Sequence, residues 1–349
     1  MTFQSTWFLL IAVLWIGYFI LEGFDFGVGV LLPFVSKNEA DRRAVLTTLG
    51  PVWDGNEVWV LVAGGATFAA FPEWYATLFS GFYLPLFLIL TSLIVRGVAF
   101  EYRSKYGKAQ WRQRWDIAIG ISSFIPALLW GVAFANIVRG VPIEKSADGN
   151  LEYVGGFFNL LNPYALLGGV VTLTVFLTHG AIFLSLKTLG GIREQARKFA
   201  IKIGLVAAVA AVSFLVWTNL MLPELNATVL VLSSVVALAW VAGLLATLKI
   251  REGWAFIFSA VAIATFVADL FYALYPRVMP SSLGAQFDLT ITNASSTQYT
   301  LKVMTIVAVI MTPLVLIYQG WTYWVFRKRV GACQILHPER GVLDTATHI

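Results

Sequence analysis

Long apolar stretches dominate this chain and restrict the folds it can adopt. Nine stretches of about 18 or more mostly apolar residues are each long enough for a helix to cross a hydrocarbon core of about 30 Å. They cover roughly residues 7–34, 54–72, 77–100, 116–138, 163–186, 200–222, 227–248, 254–276 and 301–326. Only 12% of the residues are charged, about half the share of an average soluble domain. We therefore predict an all-α membrane protein with nine transmembrane helices.

The basic residues predict how these helices are oriented. Groups of Lys and Arg follow the first, third, fifth, seventh and ninth stretches, whereas the other side carries only Arg139, Lys145, Arg277 and Lys302. Because the side richer in Lys and Arg faces the cytoplasm, we expect the N-terminus outside and the C-terminus inside. No positive charge precedes the long first stretch, so we expect no cleaved signal peptide.

The order of the stretches predicts one polytopic domain over residues 1–330, followed by a cytoplasmic tail at 331–349. A faint repeat would divide it into two four-helix units of the same sense, about 1–138 and 163–276, with 301–326 as an additional helix. Glu22-Gly23 and His179-Gly180 would then hold comparable positions. The link at 223–226 is so short that the sixth and seventh helices should be antiparallel neighbours.

Two pairs of acidic residues are the strongest candidates for function. Glu22 and Asp25 lie inside the first stretch, and Asp54 and Glu57 begin the second in the segment Trp-Asp-Gly-Asn-Glu-Val-Trp. Residues three apart share a helix face, and the predicted orientation places both pairs toward the cytoplasm. Carboxylates are costly in hydrocarbon, so they usually face a bundle interior, pair with another group or carry protons. This pattern indicates a cytoplasmic proton entry.

A structural reading of the same acids stays open. Asp54 could cap the second helix, with Glu57 completing a capping pattern, and both would favour the helix dipole. Arg96, near the cytoplasmic end of the third stretch, could neutralise an acid and make it purely structural. Function is the favoured reading for Glu22 and Asp25, because they lie in mid-span.

The remaining polar residues give weaker indications. His179 could be a proton relay, a haem ligand or a packing histidine, and a bis-His haem needs a second histidine that the apolar stretches lack. Asp269 lies toward the outer side and could pair with another subunit or a basic residue. No Cys/His cluster predicts a metal or cofactor site. The net charge of +5 comes from loops next to apolar stretches and does not predict a nucleic-acid partner.

Glycines recur within two of the helices, in Gly-Phe-Asp-Phe-Gly-Val-Gly from residue 23 and in Gly64-Gly65. We expect them to permit close helix packing.

The chain resembles subunit II of the cytochrome bd-type quinol oxidases. The motifs that carry the resemblance span most of the length, in order: Glu22–Gly29, Pro51–Trp59, Phe79–Tyr83, Glu101–Lys105, Gly131–Phe134, Trp254–Phe256, Met279–Ser282 and Asn293–Ser296. The Trp-Asp-Gly-Asn segment after an acidic first helix is the most specific of them.

The resemblance implies a nine-helix subunit of two four-helix bundles plus one helix, in a bacterial cytoplasmic membrane. It implies a heterodimer with a larger subunit I, which carries two b-type haems, haem d and the quinol-oxidation loop. That complex reduces oxygen to water with electrons from quinol and takes protons from the cytoplasm without pumping. A small single-helix accessory subunit, quinone and membrane lipid are further expected partners.

Residue by residue, the resemblance places Asp25 and Asp54 on or near the cytoplasmic proton path, with Arg96 as a charged neighbour. Trp59 would lie beside an apolar oxygen route. Some members of the family have Gln in place of Glu57, which weakens that assignment. The short 223–226 link departs from members with a long insertion there and puts in doubt a quinone bound against this subunit.

An ion-coupled secondary transporter that acts alone is the alternative, because intramembrane acids and a two-unit repeat also suit that class. The acids crowd toward one side rather than the midplane, and no stretch shows a clear midplane break. Together with the motifs, these observations favour the oxidase subunit.

Overall fold

The computed structural model describes residues 2–146, 149–221 and 227–335. The helices are α1 Phe3–Val35, α2 Glu39–Leu49, α3 Trp53–Ala70, α4 Pro72–Gly81, α5 Tyr83–Tyr102, α6 Ala109–Arg139, α7 Pro163–Lys187, α8 Gly190–Met221, α9 Ala227–Leu248, α10 Glu252–Leu274 and α11 Gln298–Val325. Short 3-10 turns lie at Phe157–Leu160, Ala285–Phe287 and Ala332–Gln334. The predicted link at 223–226 and the predicted tail beyond residue 335 lie outside the described residues.

Eight helices in the described part of the chain, α1 and α5 to α11, are long and apolar enough to cross a membrane. The chain is therefore an integral membrane protein built mostly of helices. Helix α3 occupies the second predicted stretch with 18 residues, but its first turns contain Asp54, Asn56 and Glu57 and make it less apolar. The ninth span thus stays a prediction.

The third predicted stretch, 77–100, is wrong as a single helix. The structure has two helices there, α4 and α5, which meet at Phe82. Pro85 explains the break, because proline has no amide N–H and its ring clashes with the carbonyl group four residues earlier. In the first turn of α5 the same proline is tolerated, since the N–H groups there lack partners within the helix.

Helix α2 was not predicted from the sequence. Asn38 caps it, with its side-chain oxygen accepting a hydrogen bond from the backbone N–H of Asp41 at 2.9 Å. Glu39 and Asp41 lie in the first turn, where carboxylates favour the helix dipole. An Asn followed by two acids was the local signal for this helix start.

Helices α1 and α7 cross closely at two glycines. A Cβ atom on Gly27 would lie 2.8 Å from the carbonyl carbon of Phe176 and 3.0 Å from the Cα of Gly180. The predicted packing role of the glycines in α1 is thereby confirmed. For Gly64 and Gly65 the same role stays a prediction, because an added Cβ there would have no neighbour within 4 Å among the described residues of this chain.

Helix α1 packs against α3, α6, α7 and α10, and α7 packs against α6, α8 and α10. Helix α11 contacts α1 and α3 but leaves most of its surface exposed.

Two opposite ends of the helices can be recognised. At the first, which we call the hairpin end, β1 Ile143–Lys145 pairs antiparallel with β2 Leu151–Tyr153, and β3 Arg277–Met279 pairs with β4 Leu289–Thr290. The backbone N–H of Ser296 there donates to the carbonyl of Ala70, the last residue of α3, at 2.9 Å.

The second, which we call the basic end, carries α2 and the segments that follow α5, α7 and α11. The N–H of Val330 donates to the carbonyl of Lys187 at 2.8 Å, and α2 contacts the turn Ala332–Gln334.

Candidate functional site

Arg96 of α5 binds two carboxylates from different helices. Its Nη2 donates to Oε1 of Glu22 in α1 and, at 3.1 Å, to Oε2 of Glu57 in α3. Arg96 and Glu22 are fully buried, whereas the Glu57 side chain is 22% exposed. The ring of Phe26 lies 4.6 Å from the guanidinium carbon. Glu22 and Glu57 are therefore the acids whose charge Arg96 is placed to neutralise.

Asp25 takes a different partner from Glu22, although both belong to α1. Its Oδ2 accepts a hydrogen bond from Nδ2 of Asn56 at 2.7 Å. Oδ1 of Asp25, Oε2 of Glu22 and two nitrogen atoms of Arg96 have no hydrogen-bond partner among the described residues. Three carboxyl groups and one guanidinium thus share this part of the bundle, and several of their polar atoms have no hydrogen-bond partner. Leaving such atoms unpaired in a buried site costs free energy unless protons or water molecules satisfy them.

A polar chain runs from Asp25 to helix α11. Oδ1 of Asn56 accepts from the hydroxyl of Tyr323 at 2.7 Å and from Nε2 of Gln319 at 3.3 Å. Oε1 of Gln319 accepts from Nε1 of Trp59 at 2.9 Å. Asn56, Gln319 and Tyr323 were not predicted as site residues from the sequence. The spacing of Gln319 and Tyr323, four residues apart on one face of an apolar helix, was the available signal.

No hydrogen bond or ion pair among the described residues joins Asp54 to this cluster. Asp54 is exposed in the first turn of α3, and the residue at the N-cap is Val52, with no side-chain cap. Asp54 therefore does not cap α3, and the capping alternative that the sequence left open is wrong for it. The turn after α2, in which the N–H of Val52 donates to the carbonyl of Leu49 at 2.8 Å, starts the helix earlier than the polar pattern suggested. Glu57 accordingly points to Arg96 instead of completing a cap.

His179 of α7 is fully buried with both ring nitrogens engaged. Nε2 donates to the backbone carbonyl of Ile20 at 3.1 Å, and Nδ1 lies 2.8 Å from the hydroxyl of Ser259 in α10. The imidazole stacks on Phe256 with ring centroids 4.7 Å apart. In this arrangement neither nitrogen is available to a haem iron. Among the described residues no group of three His, Cys, Asp or Glu side chains could hold a metal ion.

Asp269 of α10 is buried, and its Oδ2 accepts a hydrogen bond from the Ser233 hydroxyl of α9 at 2.7 Å. The predicted basic partner is not found for it among the described residues.

Arg103 organises a second buried ion cluster at the basic end. Two of its nitrogens bind Glu39 of α2 at 2.8 and 2.9 Å, and it binds Asp116 of α6 at 2.5 and 3.1 Å. Burial disfavours the charged form of Arg103, but the hydrogen bonds that Arg103 donates to these two carboxylates outweigh this effect and raise its pKa. Burial likewise disfavours the charged form of Glu39. The hydrogen bonds that Glu39 accepts from Arg103 nevertheless hold its pKa below the usual value of 4.5. From the sequence, Arg103 had indicated only the orientation of the helices and the motif Glu101–Lys105.

Comparison with known proteins gives a consistent result. Residues 3–326 match the family model described as cytochrome bd terminal oxidase subunit II. Cytochrome bd ubiquinol oxidase subunit 2 of Bacillus subtilis (strain 168) is 42% identical over 332 residues, covering 94% of this chain and 97% of the relative. Cytochrome bd-I ubiquinol oxidase subunit 2 of Escherichia coli (strain K12) is 39% identical over 356 residues, covering 93% and 94%.

Among solved structures, the bd oxidase from Geobacillus thermodenitrificans contains a chain that superposes with a TM-score of 0.73 at 19% identity. The match covers 94% of this chain and all 100% of that one. At this identity the likeness shows the fold.

Proposed function

Because the chain belongs to the cytochrome bd terminal oxidase subunit II family, we propose that it supports a haem-bearing subunit I and admits cytoplasmic protons for oxygen reduction. It is a subunit of a quinol oxidase, and this family membership replaces the alternative of a transporter acting alone. We assign the two b-type haems, haem d and the oxidation of quinol to subunit I.

The observation that carries the proton-entry proposal is the graded burial of four carboxyl groups. Asp54 is exposed, Glu57 is 22% exposed, and Glu22 and Asp25 are fully buried. This order leads from the basic end of α3 into the bundle interior. Carboxyl groups can take up and release protons, and intramembrane acids commonly form proton relays. Arg96 holds Glu22 and Glu57 in place along this path.

His179 we place outside the proton path. Its Nε2–H donates to a backbone carbonyl, which accepts a hydrogen bond but has no proton to pass on. Its role here is to hold α7 against α1 and α10.

The membrane topology follows from the two ends. Helix α3 starts next to α2 at the basic end and finishes against Ser296 at the hairpin end, so we propose that it is the ninth span. The basic end then faces the cytoplasm of a bacterial cell, with the N-terminus outside. Helices α1, α3, α5 and α6 would form one four-helix unit, α7 to α10 the other, and α11 the additional helix.

Subunit I would pack against the exposed face of α3 and α11. Gly64 and Gly65 offer close approach there, and exposed apolar residues such as Leu61 and Phe68 flank them. Trp59 lies at the edge of this face, as expected for an apolar oxygen route toward the haems. Neighbouring exposed helix surfaces leave room for a small accessory helix, quinone and lipid.

The variant Asp25→Asn tests the proton path in the intact oxidase. Asn keeps the size of the side chain but cannot carry the proton, so we expect turnover and proton uptake to fall by on the order of 10²-fold with unchanged haem spectra. Asp269→Asn is the matched control, a buried acid away from the path, and should leave turnover unchanged. Normal turnover and uptake in Asp25→Asn would remove Asp25 from the path.

A further inference from the structure

A cavity of about 100 Å³ lies within the second group of helices. Helices α7 to α10 form most of its wall, and residues of α1 and α6 close it. Small residues on the facing helices leave this space, among them Gly168, Ala208, Ala211 and Ala262. Glu22, Asp25, Glu57 and Trp59 are not among the residues that line it.

The lining of the cavity gives water no partner. Only two of the described lining residues, Thr172 and Trp240, carry a polar side-chain atom. The Thr172 hydroxyl donates to the carbonyl of Ala127 at 2.7 Å, and Nε1 of Trp240 donates to the carbonyl of Gly204 at 2.9 Å. A buried water needs two to four polar partners, so we expect this cavity to be dry. Dry apolar cavities in proteins bind small apolar molecules such as xenon.

We propose that this cavity binds dioxygen and supplies it to the oxidase. Dioxygen is small, apolar and more soluble in hydrocarbon than in water, and under the function proposed above, on which this inference rests, it is the substrate that the oxidase reduces. Val212 of α8 and Val241 of α9 line the cavity while each is 51% exposed on the outside of the bundle. These two positions give dioxygen a direct path from the lipid into the cavity. A volume of about 100 Å³ holds a diatomic gas but is too small for the ring and isoprenoid chain of a quinone.

Xenon reports the binding site directly. We expect crystals of the intact wild-type oxidase under xenon pressure to show a xenon peak among Phe176, Phe214 and Ile263. The variant Ala262→Leu should abolish that peak, because the larger side chain fills the space. No xenon in the wild-type cavity, or continuous elongated density from a lipid or quinone tail in it, would overturn the proposal.

Kinetics tests whether the bound gas is used. In Ala262→Leu we expect the KM for oxygen to rise severalfold while kcat at saturating oxygen and the haem spectra stay unchanged. Ala264→Leu is the control, since Ala264 lies on the same helix but does not line the cavity. An Ala262→Leu enzyme that folds, loses xenon and keeps the wild-type KM would refute the supply role. Should that variant fail to assemble, Val236→Leu, at another lining position, gives the same comparison. None of these readouts depends on the proton path.

Discussion

Arg96 holds two carboxylates from different helices, and that makes it the most consequential single residue of the bundle. Its guanidinium is fully buried, so removing it leaves Glu22 and Glu57 without their cation. Breaking a buried ion pair by removing one partner costs about 3–5 kcal/mol, because the other charge is left unpaired. We therefore expect Arg96→Gln to lower the thermal stability of the oxidase strongly.

A double-mutant cycle measures this coupling. Glu22→Gln combined with Arg96→Gln should cost less stability than the sum of the two single changes, because no unpaired charge then remains between them. If the stability lost in the double variant equals the sum of the losses in the two single variants, the two side chains do not stabilise each other.

Sequence reasoning found the acids of this site but not their arrangement. Glu22, Asp25 and Glu57 were recognisable because charge within an apolar stretch is costly. Which acid Arg96 would bind depends on the rotation of α1 and α5 about their axes, and weak helix periodicity in lipid leaves this undetermined. Tyr323 joins Asn56 from 267 positions further along the chain, a contact that only tertiary packing creates.

At the scale of helices, the contact between α1 and α7 depends on the absence of side chains. Gly27→Ala would place a methyl group against the backbone of Phe176 and Gly180, which cannot rotate away. We expect a loss of about 1–3 kcal/mol of stability, seen as a lower melting temperature of the oxidase. Gly120→Ala is the control in α6, where an added methyl meets nothing within 4 Å and should be neutral or stabilising. Equal melting temperatures for the two variants would show that the crossing tolerates a wider separation.

The ion cluster that joins α2 to α5 and α6 should make stability depend on pH. Because the folded pKa of Glu39 lies below 4.5, its contribution is fully present above that pH and is lost as pH falls through the folded value. Above pH 4.5, Glu39→Gln should therefore be less stable than wild type by about 3 kcal/mol, and the gap should close on acidification. Melting curves across this pH range measure the gap. Glu73 is an exposed acid on α4, and the variant Glu73→Gln should match the stability of the wild type across this pH range.

The helices themselves were more predictable than their breaks. Hydrophobic length alone located the long helices of the described residues, since a helix satisfies its own backbone in lipid. The break at Phe82 and the extension of α8 back to Gly190 at the basic end were not predicted, because apolar length measures the lipid-exposed part of a helix and not its hydrogen-bonded extent.

At the scale of the whole molecule, the orientation in the membrane can be tested with the single cysteine of the chain. Cys333 is exposed beyond α11 at the basic end. Since the basic end should face the cytoplasm, a membrane-impermeant maleimide should label Cys333 of this subunit in inside-out vesicles but not in intact spheroplasts. The variant Cys333→Ser with Thr292→Cys moves the thiol to an exposed position at the hairpin end and should show the reverse pattern. Labelling of both thiols from the same side would contradict a membrane crossing by α11, the helix that lies between them, and with it the proposed topology.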